Sequence, residues 1–107
     1  MRYGLDDTAF KKINEVFTNY PQIEQVLIFG SRVKGNYKPG SDIDITLVGN
    51  GINFDLLNKV TGKLDDLLLP YLFDVSIFSH IKNQELVEHI VRVGQILFKR
   101  EEVGVHR

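Results

Sequence analysis

Two periods of apolar residues alternate along this chain. From Asp7 to Tyr20, Phe10, Ile13, Val16 and Phe17 fall at helical spacing; Asp6, Asp7 or Thr8 stands where a cap is needed and Pro21 where the helix must end. Gln25–Phe29 (QVLIF) is a short apolar run of β-formers and reads as a buried strand. Gly30–Ser31 follow at once, Ser31–Lys34 begin a short helix, and Asn36–Ser41 (NYKPGS) have the composition of a loop. Asp42–Val48 (DIDITLV) alternates like a strand. Ile52, Leu56, Val60, Leu64 and Leu67 line a helix that Pro70 stops, and Leu72–Phe78 (LFDVSIF) is a third strand. Asn83–Val93 reads as a last helix with Leu86, Val87, Ile90 and Val91 toward the core. Gln95–Lys99 is a short extended piece, and Glu101–Arg107 is a loose tail. This order predicts an α/β (α+β) domain with helices packed on a small mixed sheet of three or four strands. Strand order and direction do not follow from the pattern.

Composition narrows the class. A chain of 107 residues fits one domain, spanning 1–107 with its core over about 7–100. A net charge of −1 argues against general nucleic-acid binding, which calls for a basic excess. The absence of cysteine excludes disulfides, thiolate metal sites and cysteine nucleophiles. The longest apolar stretch, near Leu67–Phe73, is broken by Pro70 and is far short of the roughly 20 residues of a membrane span. The start, MRYGLDDTAF, lacks a signal-peptide pattern, so a cytoplasmic protein is expected.

Candidate chemistry lies between Gly30 and Asp74. A glycine at a strand-to-helix turn lets backbone approach a ligand, and helix N-terminal amides suit phosphate. Ser31 adds a hydroxyl, and Arg32, Lys34 and Lys38 add cations. Taken alone, Gly-Ser after a strand is more often a plain turn. Residues two apart in a strand share a face, so Asp42 and Asp44 point one way while Ile43, Ile45 and Leu47 point into the core. Two carboxylates side by side repel, and Mg²⁺ held by carboxylates and substrate phosphates would remove that cost. A turn followed by one solvated Asp is the simpler reading of a bare D-x-D. In the third strand Leu72, Asp74 and Ser76 share a face. If that strand lies beside Asp42–Val48, three carboxylates converge; otherwise Asp74 is a solvent-facing residue on an edge strand.

Taken together these residues resemble a family. IFGSRVKGNYKPGSDIDITLV is similar to the G-S-x10-D-x-D signature of the DNA polymerase β-like nucleotidyltransferase superfamily, with Gly30, Ser31, Asp42 and Asp44 at its positions and Asp74 as the third carboxylate. At this length the chain resembles the minimal nucleotidyltransferase (MNT) group. The resemblance implies a nucleotidyltransferase fold and a two-metal reaction. In it Asp42, Asp44 and Asp74 hold two Mg²⁺ ions and are catalytic, and Gly30, Ser31, Arg32 and Lys34 bind the phosphates of the NTP substrate, expected to be ATP. It further implies transfer of AMP to a hydroxyl acceptor. The group is often encoded with a HEPN-domain toxin, and some members act as antitoxin by adding AMP to a toxin tyrosine.

Two other functions remain open on the sequence. One is a non-catalytic binding module that masks a partner protein. The other is a small-molecule transferase of the aminoglycoside-modifying kind, disfavoured because such enzymes bring an extra substrate domain. Apolar helix faces on so small a domain are compatible with a homo- or hetero-oligomer. His80, His89 and His106 lack metal-ligand spacing, and Tyr3, Tyr20, Tyr37 and Tyr71 form no periodic stacking platform.

Overall fold

The computed structural model describes residues 2–38 and 40–101. Helix α1 spans Asp7–Thr18, and Asp6 is the residue that caps it, its carboxylate accepting from the Ala9 amide at 2.8 Å. Ala9, Ile13, Val16 and Phe17 form its buried stripe. Strand β1 (Ile23–Phe29) runs into the four-residue helix α2 (Ser31–Lys34). Strand β2 (Ile43–Gly49) leads to α3 (Phe54–Asp66), capped by the Asn53 side chain on the Leu56 amide at 3.0 Å. Strand β3 (Phe73–Ile77), a 3-10 turn (Phe78–His80), helix α4 (Gln84–Val93) and strand β4 (Gln95–Lys99) complete the order.

The four strands form one mixed sheet in the order β3-β2-β1-β4. Strand β1 is antiparallel to β2 and to β4, whereas β2 and β3 are parallel. A parallel pair needs a long crossover, and α3 supplies it. Ile43, Ile45 and Leu47 of β2 are fully buried. They share a core with Ile13 and Phe17 of α1, Val26 and Ile28 of β1, and Val60 and Leu64 of α3. This is the core face expected from strand alternation.

The last helix departs from expectation. Of the four residues read as core-facing, only Ile90 is buried; Leu86 and Val87 are half-buried and Val91 is 70 % exposed. A ten-residue helix on a four-stranded sheet meets it along one narrow line, so a four-residue apolar stripe is wider than the surface that covers it. The extended piece Gln95–Lys99 is a true sheet strand, paired along β1. The expected tail lies outside the described residues from position 102 on, and so does His106. Among the described residues, no helix is long and apolar enough to cross a membrane.

Candidate active site

The register of three neighbouring strands assembles the site. Phe29 of β1 pairs with Asp44, which pairs in turn with Asp74 of β3. Strands in a sheet lie about 4.8 Å apart, so Asp44 sits between Gly30, the residue after Phe29, and Asp74. Strand β2 begins at Ile43, so Asp42, expected as its first residue, lies just ahead of it, two positions upstream of Asp44 and near enough for its charge to act on that carboxyl. Sequence alternation placed each acid on a face of its own strand, and the parallel β2–β3 pairing makes these one face. Strand β3 is also the sheet edge and Asp74 is exposed, so both readings of that residue hold in part. Two residues past Asp44, Thr46 is fully buried, its hydroxyl donating to the Ser76 carbonyl at 3.4 Å. The acid face is thus open at Asp42 and Asp44 and closed beyond, forming a shelf at one end of the sheet.

Gly30 is required here for two reasons. Its φ of 83° and ψ of −153° lie in a region that is essentially glycine-only. A Cβ at this position would also run into the Asp44 carboxylate. The glycine therefore brings the turn against the chain's own central acid. Helix α2 follows, with the Val33 and Lys34 amides returning to the Gly30 carbonyl at 3.2 Å. The amides of Ser31 and Arg32 then have no carbonyl behind them in the helix, as at every helix start.

The electrostatics of the shelf are unbalanced. The Asp44 carboxyl is pushed above its ordinary range, first by burial, then by the negative charges of Asp74 and Asp42. Among the described residues the one ion pair is Lys59–Asp55 on α3, at 3.2 Å, so no protein cation neutralises the three acids. The donor set is all carboxylate oxygen, which suits a hard divalent cation and excludes thiolate-type sites. Among the described residues no three acidic or imidazole groups are already gathered around one point. A cation would therefore have to draw the exposed Asp42 and Asp74 toward Asp44. The residues fit Mg²⁺ in kind and in sharing one face, as an open set rather than a closed cage.

Arg32 corrects the sequence reading. It was expected beside Lys34 as a phosphate-facing cation, yet it is only 4 % exposed. Its Nη1 donates to the Tyr3 carbonyl at 2.8 Å and its Nη2 to the Ser41 carbonyl at 2.9 Å. The guanidinium lies over the rings of Tyr37 and Tyr71, 4.9 and 5.0 Å from their centres. A guanidinium so engaged is not available to a nucleotide. Lys34 and Lys38 remain exposed. Three of the four tyrosines do meet on this arginine from separate segments, Tyr37 and Tyr71 by their rings and Tyr3 by its carbonyl, which no spacing rule detects. His80 packs edge-on against Phe54 at 5.5 Å, the ordinary role expected of it.

Two surface recesses lie among the described residues. A groove of about 290 Å³ is lined by Phe54, Leu57, Val75, Ser76, Ile77, His80 and Ile81. A larger open depression of about 920 Å³ lies at the far end of β1, around Glu24, Lys99 and Arg100. Neither includes Asp42, Asp44 or Asp74.

Residues 11–103 match the polymerase beta nucleotidyltransferase family. The chain belongs to that family. It is 26 % identical over 99 residues to a candidate protein adenylyltransferase of Methanocaldococcus jannaschii, covering 87 % of this chain and 98 % of the relative. Its fold is similar to that of a chain in a toxin–antitoxin crystal structure with AMP-PNP, with TM-score 0.69 and 21 % identity over 91 % of this chain and 76 % of that one. It is also similar to a chain of the complex between tri-AMPylated Shewanella oneidensis HEPN toxin and its MNT antitoxin, with TM-score 0.66 and 19 % identity over 90 % and 74 %. A candidate nucleotidyltransferase from Sulfolobus solfataricus matches with TM-score 0.56 and 25 % identity over 92 % and 94 %. The four-stranded mixed sheet with its helices is the nucleotidyltransferase fold, in a chain of minimal size.

Proposed function

We infer that this nucleotidyltransferase moves AMP from ATP to a hydroxyl on a partner protein, a tyrosine of a HEPN-type toxin, and so acts as an antitoxin. The observation that carries the chemistry is the row Gly30–Asp44–Asp74 across three neighbouring strands, with Asp42 just ahead of β2 and its charge acting on Asp44. The open shelf supports an acceptor brought by another protein, because neither of the two recesses among the described residues includes the acids. The similarity to chains of toxin–antitoxin complexes supports the class of partner.

In this reading Asp42, Asp44 and Asp74 would hold Mg²⁺, two ions in the family's mechanism. When bound, the ions stabilise the attacking and leaving oxygens of an in-line displacement. The chain's own groups do the rest. Ser31 and the first amides of α2 hold phosphate oxygens of the nucleotide, and Lys34 offsets charge on the departing pyrophosphate. The acceptor hydroxyl loses its proton to the carboxylate of Asp74, which is exposed at the sheet edge where an incoming protein side chain can reach it. The test is incubation of the chain with its toxin partner, Mg²⁺ and α-labelled ATP. Label on the partner with wild type and none with Asp42→Asn is expected. Absence of label with both rejects AMP transfer.

A further inference from the structure

We propose that Arg32 is a positioning residue, the hub that locks the phosphate turn and the two acid-bearing strands into one arrangement. This rests on the reading of Asp42, Asp44 and Asp74 as metal-holding. Each stretch carrying part of the site meets Arg32 close to that part. Arg32 itself follows Ser31 directly. The Ser41 carbonyl, which accepts from its Nη2 at 2.9 Å, precedes Asp42 directly. Tyr71, whose ring its guanidinium covers, stands three residues before Asp74; the next carbonyl, Leu72, accepts from the Ile43 amide at 2.8 Å, where the β2–β3 pairing begins. The fit is close enough that a Cβ on Gly4 would press on Nη1 and on the Tyr37 ring.

Packing alone does not explain an arginine here. Among the described residues the buried side chain has no carboxylate partner and its Nε has no hydrogen-bond partner. Burying an unpaired cation is costly, and an apolar residue would fill the same space between two rings. What a guanidinium adds is a rigid fork that grips two carbonyls at once while stacking on aromatic faces, which a lysine cannot reproduce. The carbonyl it grips on the site side is the one whose placement aims Asp42.

Metal binding separates this role from the alternatives, because the signs are opposite. A cation acting only through its charge repels Mn²⁺ from the acids, so Arg32→Met would tighten binding and the charge-preserving Arg32→Lys would leave it unchanged. A positioning residue does the reverse. Arg32→Met and Arg32→Lys should each weaken Mn²⁺ binding about 10–100-fold, the range found when groups that orient ligands without touching the ion are removed. Tyr37→Leu, which takes one ring from the bracket and leaves Arg32 in place, should weaken it in the same direction by less, and it serves if the arginine variants do not fold. Calorimetric titration with Mn²⁺ reads the affinity. Amide chemical shifts of Ser31, Asp42 and Asp44 in metal-free protein read the arrangement directly and should move in every folded variant. Unchanged or tighter Mn²⁺ binding in the folded arginine variants overturns the proposal, as do unchanged shifts at those amides. If wild type and Asp42→Asn alike bind no Mn²⁺, the metal-site reading has failed instead, and the amide shifts alone decide whether Arg32 is the hub.

Discussion

Gly30→Ala probes the contact on which the site is built. The wild-type backbone at Gly30 has φ 83° and ψ −153°, and holding an alanine in that region costs of order 1–3 kcal/mol. The added Cβ also meets the tip of the Asp44 side chain, which has to turn aside on the open shelf, a further cost of about 0.5–1.5 kcal/mol if the carboxylate is held off its preferred rotamer. A total near 3 kcal/mol is a large part of the roughly 5–15 kcal/mol available to a domain of this size. It should lower Tm by about 10–20 °C. Urea denaturation of four proteins reads the two contributions: wild type, Gly30→Ala, Asp44→Ala and the double variant. With Asp44 shortened the collision disappears and only backbone strain remains, so Gly30→Ala should cost about 0.5–1.5 kcal/mol less in that background. Additivity within about 0.5 kcal/mol would show that the glycine and the acid do not press on each other, and would refute the reasoning.

Three further outcomes are expected. Asp44→Asn should raise the stability of the metal-free protein at neutral pH while abolishing transfer. Because burial and two neighbouring acids raise the folded-state pKa of Asp44 above its unfolded value, its ionisation disfavours the native state. That liability is present above the folded pKa and fades as pH falls through it, so the difference between variant and wild type should shrink on acidification, as thermal melts in EDTA at several pH values will read. Chelation should abolish AMP transfer with the fold retained by circular dichroism, and added Mg²⁺ should restore it; transfer that survives in EDTA would contradict the role given to the acids. Asn53→Ala removes the cap of α3, whose side chain accepts the Leu56 amide at 3.0 Å, and should cost about 1 kcal/mol in urea melts without weakening Mn²⁺ binding.

Much of the architecture was legible in the chain because the signals are local. The stripe Ile13, Val16, Phe17 and the run Ile43, Ile45, Leu47 report a helix and a strand by period alone and are buried as read, whereas Phe10 of the same stripe is only half-buried and Ala9 takes the core position beside it. The stripe of α4 was the misleading one, since an apolar period says which face is greasy and not how much of it another element covers. Val91 carries the period and lies in solvent.

The site divides along the same line. That Asp42 and Asp44 share a face, and that a glycine closes the preceding strand, follows from alternation and from the sequence around Gly30. That Asp74 stands beside Asp44 does not, because strand pairing joins residues 30 apart and depends on a parallel crossover whose register only the assembled sheet sets. The fate of Arg32 is the clearest case. Next to a phosphate-type turn its charge reads as a ligand-facing cation, but Tyr3, Tyr37, Ser41 and Tyr71 come from segments up to 39 positions away to surround it. Local sequence determined which groups the turn and strands carry; tertiary structure decided which of them face solvent and which are spent holding the others in place, since burial and long-range contact are properties of the packed chain alone.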